Sequence, residues 1–91
     1  MVEVFFVVPG AVTAGNSIDL PDWVPPLRKL VGAALVSLSG GTTTSLTVVT
    51  DTPSGNQIQL SDEDTVVLGV DTVANDILII AAVPKGEYSG A

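Results

Sequence analysis

"PDWVPPLRKLVGAALVSLSGG", residues 21–41, holds the chain's only tryptophan and two of its three basic residues, and its reading decides the fold. Leu27, Leu30, Val31, Ala34, Leu35 and Leu38 recur at the spacing of one helical face, Pro26 suits a first helical turn, and Gly40 is placed for a C-cap. Against a helix stand Gly32, Val31 and Val36, and the Arg28-Lys29 pair at the end where a helix dipole disfavours cations. Ser39-Gly40-Gly41-Thr42, leading into a Thr-rich run, reads as a hairpin. The strand reading is adopted, with a short helix over 26–38 as the alternative. Asp22-Trp23-Val24-Pro25-Pro26 then becomes a stiff loop whose prolines fix φ and remove backbone donors. Trp23 would either cap the core, the commoner role for a lone Trp in a small domain, or project toward a partner.

Working outward, turn signals recur at short intervals: Pro9-Gly10, Gly15-Asn16, Gly40-Gly41, Ser54-Gly55-Asn56, Asp62-Glu63-Asp64, Asn75-Asp76 and Lys85-Gly86. Between them lie short runs rich in Val, Ile, Leu and Thr. In NQIQLS, Ile58 and Leu60 alternate with Gln57 and Gln59, and in TSLTVVTD Leu46 and Val48 alternate with Ser45 and Thr47. The pattern predicts a single mainly β domain over 1–91, a small antiparallel β-sandwich or jelly-roll-like fold of about seven strands.

Three runs depart from alternation. Val2, Val4 and Phe6 point one way and Glu3, Phe5 and Val7 the other, so the first strand is apolar on both sides in its second half; TVVLGV and DILIIAAV are apolar without a break. Such strands need cover on both faces. A central place in a tight sandwich would supply it, as would another subunit. Residues 1–8 could donate a strand to a neighbour, and 87–91 read as a flexible tail. The opening run has no basic n-region, carries Glu3 and breaks at Pro9-Gly10, which reads as a first strand rather than a secretory signal.

Composition narrows the function. A 91-residue chain buries roughly 60–65 % of the surface its unfolded form exposes, and without Cys it has no disulfide or thiolate staple. Apolar residues make up 46 % and charged ones 14 %, so the surface is unusually uncharged and suited to packing. The net charge of −7 repels phosphate and anionic headgroups, which argues against nucleic-acid and membrane partners, and no apolar run reaches the length of a helical membrane span.

Catalytic equipment is sparse. With no His and no Cys, the chain lacks the commonest general base, the commonest transition-metal ligand and the thiol nucleophile. No nucleophile elbow, P-loop or dinucleotide fingerprint is present, and neither enzyme activity nor a cofactor is expected. Asp62 and Asp64 have the D-x-D spacing that can offer oxygens to Ca²⁺, but the glycine and distal glutamate of a calcium loop do not follow, and a solvated turn competes with the metal site. Asp71 and Asp76 would join only if the sheet brought their loops to the same end. The candidate partner contacts are Trp23, Pro25 and Pro26 in the stiff loop, Arg28 beside it and Phe5 on the first strand. Arg28 and Lys29, adjacent on a strand, should point to opposite faces.

The "IDLP" near the start, "RKLVGAALVSLSG" as a strand, "DTPSGNQIQL" as a hairpin and the closing "ILIIAAVPKGE" together make residues 15–87 resemble the small β-rich capsid decoration or cement proteins of tailed phages. The resemblance is one of overall texture and carries no functional residue across. It implies a non-enzymatic protein of the virion, on the outer capsid surface, binding the major capsid protein and copies of itself as a homotrimer and stabilising the shell. An acidic domain suits the outer side, away from the packaged polyanion. Two alternatives stand beside it. One is a carbohydrate-binding or adhesive module using Trp23, Tyr88 and the acidic turn; the other is a subunit of a tail, fibre or surface layer.

Overall fold

The computed structural model describes residues 1–86 and folds them into seven strands with no helix among them. These are β1 (Glu3–Val7), β2 (Ser17–Asp19), β3 (Leu27–Ser37), β4 (Thr42–Val48), β5 (Gln57–Asp62), β6 (Thr65–Leu68) and β7 (Ile77–Pro84). The expected tail at 87–91, with Tyr88, lies outside the described residues. The strands form one mixed sheet in the order β1-β7-β3-β4-β5-β6-β2. Its neighbours are antiparallel except for β4 and β5, which run parallel over Thr47↔Gln57 and Val48↔Ile58.

The parallel pair corrects two expectations, the wholly antiparallel sheet and the hairpin at DTPSGNQIQL. Residues 49–56 form a loop whose two ends lie side by side, with the Thr47 N–H donating to the Asn56 carbonyl at 2.9 Å. Gly55 takes a left-handed φ of 62°, and the Gln57 side chain accepts from the Ser54 N–H at 2.9 Å, so the chain turns back before β5 begins.

The decisive stretch is strand, and the helix over 26–38 is excluded: β3 runs eleven residues, paired with β7 on one side and with β4 on the other. Two bulges explain its helix-like spacing. Against β7 the register jumps from Leu27↔Pro84 to Lys29↔Val83, and again from Leu30↔Ala82 to Gly32↔Ala81, which makes Arg28 and Val31 the extra residues. The inward residues Leu27, Leu30, Ala33 and Leu35 therefore meet Pro84, Ala82, Ile80 and Leu78 at spacings of three, three and two. Each bulge stretches a period of two into three, imitating the gaps of an amphipathic helix. The hairpin after β3 forms as expected, with Gly41 at φ 67° and the Gly40 N–H donating to Ser37 Oγ at 3.2 Å.

The sheet curls so that its two ends enclose one core. Val7, Ile18, Leu35, Leu46, Ile58, Val66 and Leu78 place a buried side chain in it from every strand in turn, and Ile58, Leu78 and Ile80 are fully inaccessible. Each fully buried Leu or Ile contributes roughly 1.5–3 kcal/mol relative to exposure. A seam of backbone bonds closes the curl at the tip of the β5–β6 hairpin, where Leu27 N–H donates to the Glu63 carbonyl and Leu20 N–H to the Asp64 carbonyl, both at 2.8 Å. Lys85 adds an exposed ion pair to Glu63 at 2.6 Å.

Candidate functional site

Alternation along a strand sends one row of side chains into the core and the next row out. On β7 the inward row is Leu78, Ile80 and Ala82, all at 0 % exposure; the outward row is Ile77, Ile79 and Ala81, all half-buried. Cross-strand pairing extends the outward row sideways. Phe6 on β1 lies opposite Ile79, which lies opposite Ala34 on β3; Val4 lies opposite Ala81, which lies opposite Gly32; and Ile77 lies opposite Val36.

The result is an apolar face built from three segments remote in sequence. Phe6 is 60 % exposed and Val4 55 %. None of these outward positions carries a charge, and the next strand continues the rows with Ser45 opposite Ala34 and Thr43 opposite Val36. Asp62, Glu63 and Asp64 lie at the β5–β6 turn, and Asp71 and Asp76 in the β6–β7 connection. Sequence reasoning registered that β1 and β7 are apolar on both sides. It could not show that their outer rows join each other and extend onto β3, because that adjacency exists only across the sheet.

The loop before β3 is anchored by buried Leu20, Val24 and Leu27, with the Val24 N–H donating to the Pro21 carbonyl at 2.9 Å. This turn lifts Trp23 to its tip, 61 % exposed, so Trp23 does not plug the core. Its ring rests against Phe5 at a centroid distance of 6.5 Å and an interplanar angle of 49°. Phe5 belongs to the inward row of β1, so the Trp23–Phe5 pair lies on the side of the sheet opposite the apolar outer face. Pro25 is half-buried and Pro26 exposed. Of the predicted contacts, the structure therefore brings Trp23 and Phe5 together, with the prolines following along the same loop.

Arg28 and Lys29 are both exposed; Arg28 is the extra residue of the first bulge, and Lys29 lies opposite Val83, which continues the outward row of β7. They border a groove of about 350 Å³ where β3 outruns β4, with Leu30, Val48, Val49, Thr50 and Leu60 completing its lining.

The carboxylates of the acidic turn are occupied by neighbouring groups, Glu63 by Lys85 and the two aspartates locally. Asp62 Oδ1 accepts from the Glu63 N–H at 2.8 Å and Asp64 Oδ1 accepts from Thr65 Oγ1 at 3.0 Å. Asp71 and Asp76 follow the far end of β6 and do not join them; Asp71 Oδ1 accepts from the Ala14 N–H at 2.7 Å and Asp76 Oδ2 from the Val73 N–H at 3.0 Å. Among the described residues, no three acidic, His or Cys side chains are grouped to hold a metal ion. Asp76 is buried, and its Oδ1 has no hydrogen-bond partner among the described residues. The sequence marked Asp76 as a turn residue and a conditional calcium ligand, with nothing to show that it is buried.

No family model, curated protein or solved structure matches the chain.

Proposed function

We propose that this chain is a non-enzymatic structural subunit that works by packing its uncharged sheet face into a larger protein assembly. The observation that carries this reading is the contrast between a net charge of −7 and an outer β1–β7–β3 face whose Val4, Phe6, Ile77, Ile79, Ala81, Gly32, Ala34 and Val36 positions are uncharged, with Lys29, opposite Val83, at the end of the rows. Desolvating apolar and hydroxyl-bearing rows costs far less than desolvating carboxylates, so this face is where association gains most. The assembly we favour is a viral shell, on the resemblance to capsid decoration and cement proteins. The chain would sit on the outer capsid surface, with major capsid subunits and copies of itself as partners, adding association energy at many equivalent positions.

Co-sedimentation with purified shells stripped of their surface proteins tests the reading, with the shells' melting temperature as the second readout. Binding that raises the melting temperature, and that Phe6→Ser abolishes, is the expected result. Binding unaffected by Phe6→Ser, or no binding at all, would remove the support for a shell protein acting through this face.

The exposed Trp23 favours a second reading, a carbohydrate-binding module in which the indole stacks on a sugar ring. Quenching or a blue shift of Trp23 fluorescence by a glycan panel, saturable and lost in Trp23→Ala, would transfer weight to it. A place in a tail, fibre or surface layer uses the same packing face, and protein composition of purified particles separates it from a capsid position.

A further inference from the structure

We infer that the outer face of β1, β7 and β3 is covered by a second copy of this chain, packed face to face about a twofold axis; this rests on the reading of that face as an assembly surface. Charge narrows the occupant first. Two chains of net charge −7 repel, so they associate only through a surface that brings no carboxylates together, and this face is such a surface. Against the Val4, Phe6, Ile77, Ile79 and Ala81 rows a strongly charged partner would lose hydration and gain no counter-charge in return, since Lys29 lies beyond them, opposite Val83.

Area agrees. Val2, Val4, Phe6 and Val8 are 49–65 % exposed and leave on the order of 400 Å² uncovered, to which the half-buried rows of β7 and β3 add, together more than half of the roughly 800 Å² that each partner gives to a standard interface. The Thr and Ser of β4 supply an uncharged polar margin on one side.

Shape selects the symmetry. Phe6 stands out as a knob, whereas Gly32 and Ala81, paired with each other and next to Val4, leave a low floor on the same face; a Cβ added at Gly32 meets nothing within 4 Å. A twofold axis through the face sets each copy's Phe6 over the other's Gly32–Ala81 floor, with the sheets about 10 Å apart as in a β-sandwich. No second apolar face of this extent occurs among the described residues, so a head-to-tail contact would press the face against polar surface. The dimer thereby supplies the outer cover that β1 and β7 lack in the single chain.

Sedimentation equilibrium of the full chain from about 1 to 100 µM, with native mass spectrometry, tests the inference. The expected result is a dimer weakened at least tenfold by Phe6→Ser and by Gly32→Val, and unaffected by Trp23→Ser on the opposite side of β1. Circular dichroism and melting establish that each variant folds, and Gly32→Val carries the test if Phe6→Ser does not. A wild-type monomer at 100 µM, a trimer such as the phage resemblance implies, or a dimer indifferent to both face variants would overturn it. Shell binding is scored separately. A monomer that still binds shells through Phe6 sinks the dimer and spares the shell reading, and a face-dependent dimer that ignores shells does the reverse.

Discussion

The β5–β6 hairpin and the β1–β7 pair bury their inner rows almost equally, yet they treat their outer rows in opposite ways. Ile58, Val66 and Leu68 are as inaccessible as Val7, Leu78 and Ile80. Behind them, β5 presents Gln57 and Gln59, whereas β7 presents Ile77 and Ile79 opposite Phe6. Gln59 is satisfied locally, its Nε2 donating to the Thr50 carbonyl at 2.9 Å. One half of the sheet carries polar side chains on its outer side; the other carries apolar ones.

If the two inner rows are equivalent, Leu78→Ala and Ile58→Ala should each cost about 2–5 kcal/mol, a large share of a small domain's stability. Urea unfolding of both variants measures this. A cost near zero for Leu78→Ala would show that β7 depends on its outer cover rather than on the shared core.

Glycines sharpen the comparison at the next level. A Cβ at Gly69, just past β6, would lie 2.5 Å from the Gly55 carbonyl oxygen and 2.6 Å from the Ser54 carbonyl carbon, both backbone atoms. Gly69→Ala should therefore destabilise by about 1–3 kcal/mol. Gly32→Ala on the apolar face meets open space and should be neutral or stabilising by about 0.4–1 kcal/mol, through a less flexible unfolded chain. Thermal melts of the pair decide it, and equal losses would mean that the outer face is already filled.

How much of this could be read in the sequence follows from where the information sits. The β5 alternation lies within six residues and was legible directly. The strand character of 27–37 was legible only by weighing Gly32, the β-branched residues and the Gly40-Gly41 turn, because the bulges at Arg28 and Val31 disguise its period. For Trp23 the sequence left two places open, capping the core or projecting toward a partner; Leu20, Val24 and Leu27 around it do the burying, and the indole is exposed. The outer face was half visible, as apolar runs in β1 and β7. The joining of those rows and their extension onto β3 depend on a strand order that brings residues 4–6, 77–81 and 32–36 together.

Smaller effects belong to the edges of the two regions. Trp23→Ala should cost about 0.5–1.5 kcal/mol through its contact with Phe5, read as a lower urea midpoint, and should leave the β5–β6 half unperturbed in NMR spectra. The least effect is expected at the ion pair that fastens β7's end to the β5–β6 tip. The hydrogen bond from Lys85 to Glu63, then their Coulomb attraction, raises the Lys85 pKa above the ordinary lysine value. A raised folded-state pKa means the contribution is fully present below the unfolded value and fades as pH climbs through the folded one. Urea midpoints measured into the alkaline range should fall slightly more for the wild type than for Glu63→Gln. Parallel curves would show that the pair, exposed on both sides, contributes nothing measurable.

The strand order has one more consequence, for the order of synthesis. β7 sits between β1 and β3, yet it leaves the ribosome last of the seven. Until residue 84 emerges, β1 has no neighbour and β3 lacks one of its two, so a gap one strand wide stands open in the nascent sheet. The chain's own β7 closes that gap, but on a crowded polysome an identical β7 from an adjacent chain fits it equally well. A molecule in which the last strand made is an interior one carries a built-in route to strand exchange between siblings.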